Sequence, residues 1–282
     1  MDIKEIRKLI IQAIAADDVL MDLLVLKGGN ALDIVHKLNL RTSLDIDFSI
    51  AGDFEDAEEI KTRLFKSLND RFDSKGLAIF DEKFSIKPRI AGNDPAWGGY
   101  LVEFKLISKQ LFNQYGKNTD DLRRRALAIG DPASSRIFRI EISKHEWVEG
   151  AFLSDLEGFQ LRVYTLQMIA VEKLRALCQQ MEEYPINRTR RPRSRDFFDI
   201  YTITNLRPGM WEEDQTKELV KAMFETKKVP LDLIEQISKT KEFHQTDWDA
   251  VRTTVGQQLE PFDFYFSFVV EHAALLKSLW VK

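Results

Sequence analysis

The chain has 282 residues, of which 44% are hydrophobic, with a formal net charge of −4 and a pI near 5.7. That length supports one large or two modest cores, and the acidic balance excludes a globally basic nucleic-acid coat while leaving room for a local basic patch. A single cysteine, Cys178, excludes an internal disulfide framework and reads as core, and the scattered His36, His145, His244 and His272 have no zinc spacing. The charged residues Asp2, Lys4, Glu5, Arg7 and Lys8 leave no apolar core for a signal peptide, and no apolar run reaches membrane-spanning length, so a cytoplasmic protein without membrane contact is expected.

The predicted elements begin with a surface helix over 3–16, where Ile3, Ile6, Ile10, Ala13 and Ile14 recur at helical spacing. Leu23-Leu24-Val25-Leu26 is a short buried strand candidate, ended by Gly28-Gly29, after which 30–38 has helical periodicity. From Arg41 to Ile50 polar and apolar residues alternate. This predicts a strand with Arg41, Ser43, Asp45 and Asp47 on one face and Thr42, Leu44, Ile46 and Phe48 on the other. A helix is predicted over 55–70, then strands over 83–90 and 100–107 joined as a hairpin through Gly92-Asn93-Asp94-Pro95 and Gly98-Gly99. The charged segment with Arg123-Arg124-Arg125 follows, and Arg136 to Ser143 alternates as a further strand, after which strand signals stop. Helical patterns cover 161–183, 195–205, 213–225 and 261–280, with a loop at 184–194. The expected fold class is α+β: a mixed sheet with flanking helices over 1–150, followed by a mainly helical domain over 151–282 that contributes to a cleft.

Two aspartates one residue apart on a strand point the same way, with Cα atoms roughly 6.5 to 7 Å apart, and can share hard cations such as Mg²⁺ or Mn²⁺. In a two-metal site one ion activates the attacking oxygen and the other stabilises the leaving group. An isolated Asp-x-Asp is more often a solvated edge, and an isolated Gly-Gly is more often a tight connection. A glycine turn opening a helix, however, aims free N–H groups at an anion, and here it is followed by one helix and the two-aspartate strand. Together Gly28-Gly29-Asn30 and Asp45-Ile46-Asp47 point to nucleotide phosphates and metal on one site.

These motifs resemble the glycine turn and paired carboxylates of the DNA polymerase β-like nucleotidyltransferases, with Asn30 where serine is more usual and a polar helix cap retained. More specifically, four segments are similar to the AbiEii family of bacterial nucleotidyltransferase toxins. They are Lys27-Gly28-Gly29-Asn30-Ala31-Leu32, Arg41-x-Ser43-x-Asp45-Ile46-Asp47-Phe48, Glu172-Lys173-Leu174-x-Ala176-Leu177 and Arg195-Asp196-Phe197-Phe198-Asp199-Ile200-Tyr201. The matches span about residues 25–205 in the family's order, and the last 75 or so residues add little. The resemblance implies that Asp45 and Asp47 bind metal, that Lys173 contacts the triphosphate or the target, and that Asp196 completes the site. It also implies an RNA acceptor, the tRNA 3′ end among the candidates, and a separately encoded antitoxin, as in toxin-antitoxin or phage-defence systems.

Each residue also has a plainer reading. Lys173 interrupts an apolar stripe, where it either snorkels to water or meets a bound triphosphate. Asp196 and Asp199 fit the first turn of a helix after Ser194, where acids complement the dipole. A third metal carboxylate is expected on a later strand, with Glu141 as candidate and Glu103 as rival. Arg188, Arg190, Arg191, Arg193 and Arg195 form either an RNA or phosphate contact or a solvated charge run. Trp97, Tyr100, Tyr184 and the stretch 262–270 read as core.

The function expected is transfer of NMP from an NTP to an acceptor, with release of pyrophosphate. Lys27, Gly28, Gly29, Asn30, Arg41 and Ser43 seat the nucleotide, Asp45, Asp47, Lys173 and Asp196 act in catalysis, and Asp45, Asp47 and Glu141 hold metal. The alternatives are a transferase acting on a metabolite or antibiotic, and a non-catalytic nucleotide- or RNA-binding module.

Overall fold

The computed structural model describes residues 2–38, 45–87, 97–116, 118–129, 135–184, 186, 189–255 and 258–281. The strands are β1 (Val25–Lys27), β2 (Ile46–Ser49), β3 (Leu77–Lys87), β4 (Gly99–Ser108), β5 (Phe138–Ser143), β6 (Phe152–Leu156) and β7 (Phe159–Val163). They form one mixed seven-stranded sheet in the order β3-β4-β5-β2-β1-β7-β6. β2 runs parallel to β5 and antiparallel to β1, and β1 runs parallel to β7. The expected α+β class and mixed sheet are found.

The helices in the first half are α1 (Ile3–Ala15), α2 (Asp18–Leu23), α3 (Gly28–Asn30, continuing as a π-helical turn Ala31–Val35), α4 (Ala57–Asp73), α5 (Lys109–Tyr115) and α6 (Thr119–Arg125). After the sheet come α7 (Leu166–Cys178), α8 (Ser194–Leu206), α9 (Asp214–Thr226), α10 (Leu233–Gln236), α11 (Lys241–Gln245), α12 (Trp248–Thr254) and α13 (Phe262–Ala274). Local capping sets several of the starts. Asp56 accepts from the Glu58 and Glu59 amides before α4, and Thr165 accepts from the Met168 amide before α7. One continuous apolar core runs from α1 and α4 under the sheet to α7, α8 and α13, so the sheet and the later helices are packed together. A small satellite core of Phe80, Ile107, Leu122 and Ala126 lies under α5 and α6.

Three readings of the sequence change. The residues before β1 form α2 rather than a strand reaching back to Leu23, because Asp17 caps a helical turn there by accepting from the Val19 and Leu20 amides. β3 starts at Leu77, six residues ahead of the predicted 83, because a register break between Phe80 and Lys83, with Asp81 at φ 54°, shifts the phase of the alternation. Strand structure also does not stop at Ser143: β6 and β7 form a hairpin, and β7 occupies the place beside β1. Its turn is Glu157-Gly158, both at positive φ (57° and 88°), a tight two-residue connection without the Asn-Gly or Asp-Gly signature that betrays such turns in sequence. The predicted helix over 161–183 accordingly begins only at Leu166. The predicted hairpin of β3 and β4 is present, while its connecting residues 88–96 lie outside the described residues.

Candidate active site

Cross-strand register assembles the centre of the site. Lys27 on β1 stands opposite Asp47 on β2, and Asp47 stands opposite Glu141 on β5. Directly opposed residues share a face of the sheet, so Lys27, Asp47 and Glu141 form one row across three strands. Ile46 and Phe48, at alternate positions, are buried on the other face, and Asp45, two residues before Asp47, shares its side. Glu103 pairs with Arg139 at 3.0 Å on β4, one strand farther from Asp47 than Glu141.

The glycine turn presses onto this row. Gly28 has φ +66°, and a Cβ built there would lie 2.7 Å from Asp47 Oδ2 and 3.3 Å from its Cβ and Cγ. Any side chain at Gly28 would therefore collide with the carboxylate as well as strain the backbone. Asn30 does not cap the helix, as its sequence position suggests. It is fully buried within α3, where Nδ2 donates to the Asp45 carbonyl at 2.7 Å and Oδ1 accepts from buried Arg7 at 2.9 Å. Asn30 thus fixes the backbone that carries Asp45.

Burial pushes Asp47 up to about 7. Lys27 opposes the shift, while Glu141, Glu172 and Asp45 add to it. Burial and Glu141 raise Asp45 as well, against Arg139, Lys87 and Arg195. Asp47 is thus a buried carboxylate whose ionisation is opposed by burial and by its acidic neighbours, which is an environment that a divalent cation would relieve. Hard oxygen donors from one or two carboxylates, completed by substrate phosphates, are what Mg²⁺ prefers, and Asp45 and Asp47 meet that requirement. Among the described residues no three His, Cys, Asp or Glu side chains converge as a metal cluster. Glu141 Oε1 instead accepts from Lys87 Nζ at 2.6 Å.

Lys27 is nearly buried and donates to Glu172 at 2.6 Å and to Ser143 Oγ at 3.2 Å. Burial alone would lower its pKa, but Glu172 and Glu146 outweigh that and hold the ammonium charged. Glu172 lies on α7, so this pair joins the sheet to the helices. The next residue, Lys173, is buried too, and its counter-charge comes from Asp199 at 2.6 Å and Asp196 at 3.0 Å. Arg193 also pairs with Asp196. Asp196 is held well below the usual carboxylate range: burial would raise it, but Arg193 and Lys173 dominate. Asp196 and Asp199 are therefore buried partners of a lysine; Asp196 is also a first-turn acid of α8, whereas Asp199 lies a turn farther on rather than in the first turn expected from the sequence.

The arginine run divides in the fold. Arg193 pairs with Asp196 and lies within the field of Glu172 and Asp47, and Arg195 lies within the field of Asp45. Arg190 pairs with Glu182 at 2.5 Å and lies over the Phe243 ring, and Arg191 is exposed. Arg41, Ser43 and Arg188 lie outside the described residues. Sequence reasoning gave no role to Glu172, Glu146, Arg7, His244 or Asp247. Glu172 carried a signal, since it shares the motif with Lys173; the others are isolated residues whose meaning comes only from tertiary contact.

A model of the family described as "Nucleotidyl transferase AbiEii toxin, Type IV TA system" matches residues 10–267. The match defines the chain as a nucleotidyltransferase. It belongs to the AbiEii family, the toxins of type IV toxin-antitoxin systems, in which a separate antitoxin is the partner and an NTP the substrate. Among solved structures, the chain is similar to JHP933 from Helicobacter pylori, with 19% identity over 98% of this chain and 91% of that one and a TM-score of 0.49. It is similar to a putative nucleotidyltransferase from H. pylori, with 18% identity over 98% and 93% and a TM-score of 0.48. An antigenic nucleotidyltransferase-like protein from Paracoccidioides brasiliensis has 14% identity over 88% and 93% and a TM-score of 0.39. No curated protein matches the sequence. No helix among the described residues is long and apolar enough to cross a membrane.

Proposed function

We propose that this chain is a cytoplasmic toxin that transfers NMP from an NTP to the 3′ hydroxyl of an RNA, tRNA being the acceptor that the family resemblance implies. The observation that carries this reading is the contact between the glycine turn and the Asp-x-Asp strand, with Gly28 so close to Asp47 that a Cβ would stand 2.7 Å from its carboxylate. A turn that close presents its backbone to whatever binds the aspartates.

In the reaction the acceptor oxygen bonds to the α-phosphorus, the bond from that phosphorus to the bridging oxygen breaks, and pyrophosphate leaves. Asp45 and Asp47, with Glu141 beside them on β5, are the residues that would hold Mg²⁺ or Mn²⁺, which would supply charge for the transferring phosphate and activate the attacking oxygen. Gly28 and Gly29 approach the phosphates with their backbone. Arg193 opposes the negative charge that develops on the leaving pyrophosphate, while Lys173, paired with Asp196 and Asp199, holds Asp196 in place beside it. Asp196 suits an orienting role better than a general base, because both cations favour its ionised form and make it a weak proton acceptor. Lys27 keeps Asp47 from bearing the whole repulsion of its neighbours.

The test incubates purified protein with each α-labelled NTP, Mg²⁺ and total cellular RNA, beside Asp45→Ala. Labelled RNA from the wild type alone is the expected result. No labelled product with any NTP, from folded protein and intact RNA, would count against the RNA reading. Label appearing on small molecules instead would favour a metabolite or antibiotic acceptor.

A further inference from the structure

The start of α8 carries the residues that face the carboxylates, and a helix start leaves amides in need of partners. Here they are not met locally, since Arg193, at the cap position, makes no side-chain cap. The partners come from about fifty residues later in the chain. The Arg193 amide donates to His244 Nδ1 at 3.1 Å, and the Ser194 amide donates to Asp247 Oδ1 at 3.1 Å. Ser194 Oγ donates to the same Asp247 oxygen. Asp247 also places a negative charge at the positive end of the helix.

His244 is held there at a cost. The ring is completely buried between Phe197 and Phe243, with centroids at 5.2 and 5.0 Å, and its Nε2 has no hydrogen-bond partner among the described residues. Because Nδ1 accepts, the proton of the neutral ring lies on that unpaired Nε2. A phenylalanine would pack as well and leave no polar atom stranded, so the nitrogen that accepts from Arg193 is the part of the ring that accounts for its presence. A guanidinium has no acceptor with which to cap these amides itself; the Arg193 side chain instead pairs with Asp196, and Glu172 and Asp47 add to the negative charge around it.

We infer that His244 and Asp247 are positioning residues, a strut from α11 and the start of α12 that fixes the Arg193-Ser194 backbone and so aims Arg193 at the nucleotide phosphates. The inference rests on the active-site reading above. It also gives the C-terminal segment, which shows no motif in the sequence, a part in the reaction.

The experiment measures transfer by the full-length chain with Asp247→Ala, Asp247→Asn, His244→Phe and Ser194→Ala, alone and in an Arg193→Gln background, at temperatures where circular dichroism shows each protein folded. Misplacing a phosphate-facing group by a fraction of an ångström to an ångström costs one to two orders of magnitude, so Asp247→Ala and His244→Phe should each lower kcat/KM about tenfold or more. Asp247→Asn keeps the accepting oxygen and should stay within about threefold of wild type. If the strut acts through Arg193, Asp247→Ala adds less than about a twofold loss once Arg193 is glutamine. Ser194→Ala removes one of Asp247's two bonds, and should give a severalfold loss that likewise vanishes in that background; it decides the matter if Asp247→Ala does not fold. Full activity in folded Asp247→Ala or Ser194→Ala, or a loss of the same size with and without Arg193, would overturn the inference. Retained activity in Asp45→Ala would instead overturn the active-site reading itself.

Discussion

Gly28→Ala is the most direct probe of the site. The added methyl meets Asp47 Oδ2 at 2.7 Å, so the carboxylate must retreat about 0.7 Å to reach ordinary contact at 3.4 Å. Asp47 cannot do this by swinging only its tip, because its Cβ and Cγ also lie at 3.3 Å. The left-handed backbone at φ +66° adds about 1 to 2 kcal/mol of strain for a residue with a Cβ. Gly158→Ala is the control. It has φ +88° with nothing within 4 Å of the added Cβ, so it incurs the strain without the collision. Gly158→Ala should lose about 1 to 2 kcal/mol in urea denaturation and Gly28→Ala more, because the collision adds to the strain, while transfer of labelled NMP should fall about a hundredfold only in Gly28→Ala. Activity within about twofold of wild type in a folded Gly28→Ala protein would refute the proposed closeness of turn and carboxylate.

Asn30→Ala strands the Asp45 carbonyl and one end of Arg7 together, and should cost about 2 to 4 kcal/mol, read as a lower denaturation midpoint with unchanged slope. Lys173→Met takes the lysine's counter-charge away from buried Asp196 and Asp199, leaving Asp196 to Arg193, and should cost about 3 to 5 kcal/mol; adding Asp199→Leu should restore part of it, and a strictly additive double variant would contradict the pairing. His244 and Glu146 each favour the fold as pH rises through their own windows, and in the first of these Asp47, raised to about 7, acts in the opposite sense. Burial holds His244 down at about 4 from 6.5, so its contribution is complete above pH 6.5 and is lost as pH falls towards 4. Glu146 is buried, and Arg175, Lys27 and Lys227 bring it from 4.5 to about 2, so its contribution is complete above pH 4.5 and is lost as pH falls towards 2. His244→Phe should remove its share of the pH dependence of stability in the first window, and Glu146→Gln its share in the second; unchanged slopes would refute the assignments. A fragment ending at residue 150 lacks β7, leaves the three-residue β1 at the sheet edge, and is expected to be insoluble on expression.

Local chemistry made much of this legible. The two-residue alternation around Ile46 and Phe48 separated the buried face from the carboxylate face, and the glycines marked a turn that the fold brings against Asp47. Periodicity also located α1, α4, α8 and α9 to within a few residues. What stayed hidden depends on residues distant in the chain. The place of β7 beside β1 is a parallel pairing across more than a hundred residues, and no local pattern encodes it. Lys173 looked like a cation awaiting a phosphate because its partners are 23 and 26 positions away. Asn30 looked like a cap because its sequence neighbourhood is that of a helix start, whereas its amide is spent on Asp45 and Arg7. The sequence already favours Glu141 over Glu103 as the candidate, but that it stands opposite Asp47, with Glu103 one strand farther off, depends on the strand order β4-β5-β2.

The buried ions explain why the helices belong to the site. Glu146 accepts from Arg175 at 2.8 Å and lies 3.4 Å from Lys227 and 3.8 Å from Lys27, and it follows β5 in a segment that packs between the sheet and α7. Apolar residues of similar shape would hold α7 to the sheet at least as firmly, because burying such ions costs nearly what their attraction returns. Ions differ from apolar contacts in being directional. Glu172 can neutralise Lys27 from one orientation of α7, and that orientation also places Lys173 against Asp196 and Asp199. Asp196 in turn engages Arg193, which lies within the field of Asp47. The chain of pairs therefore runs from β1 through α7 to the start of α8. A small rotation of α7 would break several links at once, and this is how a helix far along the sequence is held in register with two aspartates on a strand.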